Sequence, residues 1–263
     1  MQESEKNRAK ELELRQRNFC IGVIGSMASG KTTLIGILAA RWGDVDLIRE
    51  RPEENPFLRD YYMSDPKKWA FHSQVWYGND KISLMTKPRN CYLTLVDPTL
   101  EMDKIYEYTN YLLGNITKEE HKLYLDLCDT LCEVKKYKKP DVIVSTNAPV
   151  DILIEHCKKR GRDYESKVDP DYLKILVRNV DQWVKENENK FNIINVDSSR
   201  WNFVDMELDQ NLVVKDIERQ VKALWYKKYD KLGVENMQDL PFFLRWPGFS
   251  PDSLPFQGLR KIP

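Results

Sequence analysis

Eight consecutive residues, Gly25-Ser26-Met27-Ala28-Ser29-Gly30-Lys31-Thr32, satisfy the pattern G-x-x-x-x-G-K-S/T in full. Phosphate chemistry explains the spacing. Glycines let the backbone fold around an oxyanion and turn successive N–H groups toward it. A helix that follows aims the positive end of its dipole at the same group. Lys31 is then placed to reach β- and γ-phosphates, and the Thr32 hydroxyl, with Thr33 next in line, to ligate Mg²⁺. The stretch from Gly25 to Thr33 is therefore a candidate ATP site with Mg²⁺ as the accompanying ion.

Two carboxylates fall just beyond apolar runs. Glu50 opens Glu50-Arg51-Pro52-Glu53-Glu54-Asn55-Pro56 after the run 45–49, and Asp97 opens Asp97-Pro98-Thr99 after the run 91–96. In a parallel sheet, ligands bind beyond the carboxyl ends of strands, so both acids would share an edge with the phosphate loop. There they are candidates to accept a proton from an attacking hydroxyl or to hold Mg²⁺ through water. Solvated loop acids are the simpler alternative. Lys158-Lys159-Arg160-Gly161-Arg162 ends a helical stretch. Such a cluster either compensates the helix dipole or neutralises a transferring phosphoryl group from a lid.

The elements that must position these residues are legible as alternating short apolar runs and longer helical stretches, the pattern of an α/β fold with a parallel sheet and crossover helices. Strands are expected at 19–24, 45–49, 91–96, 141–145 and 191–196, and helices at 31–42, 65–87, 99–113, 118–137, 149–160, 169–188 and 206–228. The strands' near-continuous apolar character fits burial on both faces. The phosphate loop sits between the first strand and first helix, where its chemistry requires it. Residues 1–17 are mostly charged and read as an extension. A core domain over 18–230 and a Pro/aromatic-rich extension over 231–263 complete the division, with proline blocking regular helix in 240–263.

Lys+Arg and Asp+Glu are equal at 41 each, which gives no global field to draw in nucleic acid or an anionic membrane. No run of eighteen apolar residues and no apolar signal segment is visible, so neither a membrane span nor secretion is expected. The five cysteines are an odd number without zinc spacing and read as reduced thiols in a cytoplasmic compartment.

Four blocks between about residues 19 and 200 resemble the deoxynucleoside kinase family (deoxycytidine, deoxyguanosine, deoxyadenosine kinases and relatives). The first is the phosphate loop with its flanks. The second, Arg49-Glu50-Arg51-Pro52-Glu53-Glu54-Asn55-Pro56-Phe57, is similar to a K-E-P-V-E-E-N-P-Y stretch. The third, running from Tyr61 to Gln74, is similar to Y-x-x-P-x-x-W-x-F-x-x-Q. The fourth, Arg160-Gly161-Arg162-x-x-Glu165, is similar to the lid motif R-G-R-x-x-E. The resemblance implies a three-layer P-loop kinase fold with a five-stranded parallel sheet and a lid. It implies ATP- and Mg²⁺-dependent phosphoryl transfer to a deoxynucleoside hydroxyl, and a homodimer through helices like those at 65–87 and 118–137. It also implies roles. Glu50 would be the general base for the sugar 5′-hydroxyl, and Gln74 and Asp103 would read the base. Tyr62 and Glu165 would hold the 3′-hydroxyl, with Tyr61 competing for that place. Trp69 and Phe71 would wall the base pocket, and Arg160 and Arg162 would meet the donor phosphates. Asp97 is the candidate acid at the third strand end.

The sequence departs from the family pattern twice. Pro98 stands where an arginine usually follows the acid, and His156 stands where the lid's first arginine is expected. Lys104, Lys158 and Lys159 are the candidate replacements. These departures keep two alternatives open: a kinase for a modified deoxynucleotide or for hydroxymethylated bases in DNA, against which the zero net charge argues, and an ATP-binding subunit that has lost catalysis.

Overall fold

The computed structural model describes residues 18–43, 45–87, 89, 91–161 and 169–229. Five strands form one parallel sheet: β1 (Phe19–Gly25), β2 (Asp46–Arg49), β3 (Leu93–Asp97), β4 (Val142–Asn147) and β5 (Asn192–Asp197), in the order β2-β3-β1-β4-β5. Among the described residues the helices are α1 (Lys31–Trp42), α2 (Leu58–Met63), α3 (Pro66–Met85), α4 (Leu100–Leu112), α5 (Lys118–Val134), α6 (Val150–Arg160), α7 (Pro170–Asn187) and α8 (Glu207–Tyr229).

Burial along the sheet follows the apolar pattern. Every residue of β1 and β3 is buried, whereas the edge strand β5 mixes buried and exposed positions. One face is covered by α1 and α8, which bring Leu34, Ile35 and Leu38 against Val214, Ile217 and Val221. The other face is covered by α4 and α7, through Met102, Ile105, Leu173, Leu176 and Val180. The result is the three-layer sandwich that a both-sides-buried parallel sheet demands.

Helix starts are fixed by local chemistry. Asp65 accepts from the Lys67 N–H at 3.0 Å with Pro66 at the first helical position, and Thr117 and Glu120 form a reciprocal capping box. All five expected strands and seven expected helices appear within a few residues of the predicted bounds. A short 3₁₀ turn (Pro52–Glu54) and α2 were not expected. Pro52 supplies the preset φ for the turn, and Asn55 ties the segment down by donating to Ser73 Oγ at 3.0 Å. The extensions at 1–17 and 231–263 lie outside the described residues.

Two register relations place the chemistry. Gly25 pairs with Thr146, so β1 and β4 end together under the phosphate loop, and Arg49 pairs with Asp97, so β2 and β3 end together beside it.

Candidate active site

The phosphate loop is braced from three sides. Ser26 Oγ donates to Asn147 Oδ1 at 2.9 Å, Ser29 Oγ and Thr146 Oγ1 lie 2.8 Å apart, and Ser198 Oγ donates to the Ser29 carbonyl at 2.9 Å. A Cβ on Gly25 would stand 1.9 Å from the Thr146 carbonyl oxygen, so only glycine lets the loop leave β1 this close to β4. Lys31 Nζ donates to the Gly25 and Ser26 carbonyls, each at 2.9 Å, which holds the ammonium on the loop.

Two cavities meet there. Ala28, Lys31 and Thr32 line both. The first runs from the loop past Glu50, Asp97 and Pro98 to Gln74 and Asp103, between walls of tyrosine: Tyr61, Tyr62, Tyr77, Tyr106 and Tyr172. The second lies over the start of α1, with His156 and Lys159 of α6 on one side and Trp201–Asp205 on the other.

The first cavity gathers most of the residues singled out from sequence. The Glu50 N–H donates to the Asp97 carbonyl at 2.8 Å, which extends the β2–β3 ladder by one residue and fixes both acids on the same edge. Gln74 is buried on α3 and faces the cavity. Asp103 is 1% exposed; burial pushes its carboxyl well above the usual range, and Lys81 counters that shift. Tyr61 and Tyr62 both line the cavity, but the Tyr61 hydroxyl donates to Asn110 Oδ1 at 2.9 Å. That bond is part of an asparagine network within the fold, in which Asn115 also donates to Asn110 Oδ1 at 3.1 Å.

Trp69 and Phe71 are placed differently from expectation. Neither belongs to the cavity lining. Trp69 stacks on Phe57 with centroids 5.9 Å apart, and Phe71 packs with Ile82, Leu100 and Tyr124. The helical period accounts for Trp69, which lies on the far side of α3 from Gln74; Phe71, one turn before Gln74, flanks it and is drawn instead into the contact with Leu100 of α4 and Tyr124 of α5. The aromatic walls come from α2, α3, α4 and α7 instead. Of the candidate replacement cations, Lys104 is engaged by Asp129 at 3.0 Å and lines neither cavity, nor does Lys158, whereas Lys159 lines the second. Arg162 and Glu165 lie outside the described residues, as does the side chain of Arg160.

Three features went unread in the sequence. Arg49 lines the first cavity beside Glu50. Tyr77, Tyr106 and Tyr172 provide walls. Lys81 is 2% exposed with its Nζ lacking a hydrogen-bond partner among the described residues, behind Asp103, whose Oδ2 also lacks one. The spacing from Gln74 to Lys81 is seven, two helical turns on one face, and that was the signal available.

A family model for deoxynucleoside kinases matches residues 21–222. The chain belongs to the deoxynucleoside kinase family. Among curated relatives, the deoxyguanosine kinase of Lactobacillus acidophilus is 29% identical over 207 residues, covering 76% of this chain and 90% of that protein. The deoxyguanosine kinase of Bacillus subtilis is 26% identical, covering 70% and 88%. A solved deoxyadenosine kinase from M. mycoides with bound dCTP superposes with a TM-score of 0.67 at 25% identity, covering 76% of this chain and all of that one. This family membership makes the chain a phosphotransferase of the ATP-dependent deoxynucleoside kinase type. The comparisons give no support to a DNA-modifying kinase or to a subunit without catalysis. In this kinase no helix among the described residues is long and apolar enough to cross a membrane.

Proposed function

We propose that the first cavity takes a deoxynucleoside and the second takes ATP, with the transferring phosphoryl group between them at Lys31 and Thr32. The observation that carries this reading is the meeting of the two cavities on those residues with the Glu50 carboxylate on the acceptor side.

In this reading the 5′-hydroxyl of the sugar lies against Glu50. Glu50 takes its proton as the oxygen attacks the γ-phosphorus, and ADP leaves from the opposite side. Lys31 N–H groups and the loop amides hold the β- and γ-phosphate oxygens as charge shifts onto them. The Thr32 hydroxyl, with the carboxylate of Asp97 or Glu50 through water, would give an all-oxygen donor set that suits Mg²⁺. When bound there, Mg²⁺ supplies neutralisation of the β- and γ-phosphate charge. Gln74 offers a donor and an acceptor side by side to a base edge, and Asp103 with Lys81 lies deeper on the same side. Tyr62 is the tyrosine assigned to the 3′-hydroxyl with Glu165, because the Tyr61 hydroxyl serves Asn110. Arg160 and Arg162 are assigned to the donor phosphates from the resemblance of the lid motif.

Two further assignments accompany this one. Leu123 and Leu127, 49% and 38% exposed, lie one turn apart on α5 and fit a homodimer contact. The five free cysteines fit a reducing, cytoplasmic compartment.

The test is to follow γ-labelled phosphate from ATP into a panel of free deoxynucleosides and into duplex DNA carrying hydroxymethylated bases. Label in a deoxynucleoside 5′-monophosphate is the expected product. Label in duplex DNA alone, or in neither acceptor, would contradict the assignment.

A further inference from the structure

The second cavity contains an ion pair that spans it. Lys159 Nζ lies 2.6 Å from Asp205 Oδ2, joining α6 to the segment that follows β5. Both groups line the same cleft as the phosphate loop residues Ala28 to Thr33.

We propose that Lys159 is a ligand for the donor triphosphate, held by Asp205 until ATP displaces the carboxylate. The inference rests on the reading that ATP occupies this cleft. Geometry on both sides of the cleft carries it. His156 cannot fill the place of a lid arginine by reaching for phosphate through Nδ1, because that nitrogen lies 3.1 Å from the Ala28 carbonyl and donates to it. The same bond ties α6 to the phosphate loop. Lys159 is three residues further along the helix, so it lies on the face that His156 turns toward the cleft.

Asp205 is the fixed member of the pair. Its N–H donates to Asn202 Oδ1 at 3.1 Å, the Asn202 N–H donates to Asp209 Oδ2 at 2.9 Å, and the flexible stem of Lys159 supplies the movement. The Asp205 carboxyl is held below the ordinary carboxylate range, chiefly by its bond to Lys159.

The exposure of the pair decides its energetics. The side chains are 69% and 47% exposed, so the ion pair is solvated, screened and easily opened. A triphosphate seated on the loop presents several negative charges to the same ammonium and outcompetes one carboxylate. Lys159 then brings a positive group from α6 to the cleft, while His156 Nδ1 is committed to the Ala28 carbonyl. A lysine makes point contact rather than a bidentate fork, so the gain falls mainly on ATP affinity.

The experiment measures ATP binding to the full chain by calorimetry, alongside steady-state kinetics with each substrate varied. Lys159→Ala is expected to raise the KM and Kd for ATP about tenfold, the loss of one charge-assisted contact, while the KM for the deoxynucleoside stays within about twofold. Lys159→Arg is expected to recover most of the loss. Asp205→Ala is expected to tighten ATP by roughly two- to fivefold, and only while Lys159 is present. Unchanged ATP affinity in Lys159→Ala overturns the proposal. Failure of the unmodified chain to bind ATP at all overturns the donor-site reading with it. ATP binding without coupling between the two residues overturns the latch alone.

Discussion

Gly30→Ala should weaken both the fold and the phosphate loop. Gly30 has φ +88° at the foot of α1, a backbone conformation that L side chains rarely adopt. A Cβ there would stand 2.8 Å from Phe203 Cζ and 2.9 Å from Cε2. The Phe203 ring is 1% exposed and belongs to the core shared by α1 and α8, so it has little room to retreat. The torsional cost is about 1–2 kcal/mol. Overpacking against a buried ring adds about 1–3 kcal/mol. Together they remove about 2–5 kcal/mol from a domain whose total is of the order of 5–15 kcal/mol. In urea, with a slope near 2 kcal/mol/M, the midpoint should fall by about 1–2.5 M. The loop would relieve part of the clash by turning its N–H groups, so ATP affinity should fall as well. A double-mutant cycle with Phe203→Leu separates the two costs. Shortening the ring removes the steric part and leaves the torsional part, so the cycle should show about 1–3 kcal/mol of coupling. Stability within about 0.5 kcal/mol of the parent, or strict additivity with Phe203→Leu, would refute this reasoning.

Two other substitutions divide the paired tyrosines. Tyr61→Phe should cost about 1 kcal/mol of stability through the lost bond to Asn110, with little change in acceptor KM, whereas Tyr62→Phe should raise the acceptor KM and leave stability nearly unchanged. Chemical denaturation and steady-state kinetics check both, and the reverse pattern would exchange their roles. Away from the site, Glu107 is fully buried beside His121 Nδ1 at 2.9 Å, and burial pushes its carboxyl up from 4.5 to about 7. A raised carboxyl favours folding most when protonated, so its contribution is complete below pH 4.5 and is lost as pH rises to 7, by up to about 3 kcal/mol. Glu107→Gln should flatten the stability profile across that window; an unaltered slope in pH-dependent unfolding would show that Glu107 does not titrate there.

Much of this architecture was written in the order of residues because buried parallel strands and a phosphate loop carry strong local signals. The loop, the five strands, and the strand-end acids Glu50 and Asp97 needed only local pattern and the rule about carboxyl edges. Gln74 and Asp103 were named from the family resemblance, and the structure places them on one cavity. What stayed hidden depended on tertiary placement. Trp69 and Phe71 are on α3 with Gln74, yet Trp69 stacks on Phe57 and Phe71 packs against Leu100 and Tyr124. Lys81 reads as a surface lysine by type, and only the fold shows its ammonium buried behind Asp103. Tyr106 and Tyr172 come from helices far apart in sequence that meet across the cavity. The segment around Phe203 and Asp205 has no motif. Its place beside the loop follows from Ser198, at the end of β5, donating to the Ser29 carbonyl.

The role of Glu50 can be examined in one comparison: single-turnover transfer from ATP to a deoxynucleoside by the parent chain and by Glu50→Gln, with both substrates saturating. Glutamine keeps the shape of the side chain but cannot take the proton, so the transfer rate should drop by about 10²–10⁴ while both substrates still bind. An undiminished rate, with only the acceptor's affinity altered, would mean that the hydroxyl loses its proton elsewhere and that the carboxylate beside the phosphate loop merely helps hold the sugar.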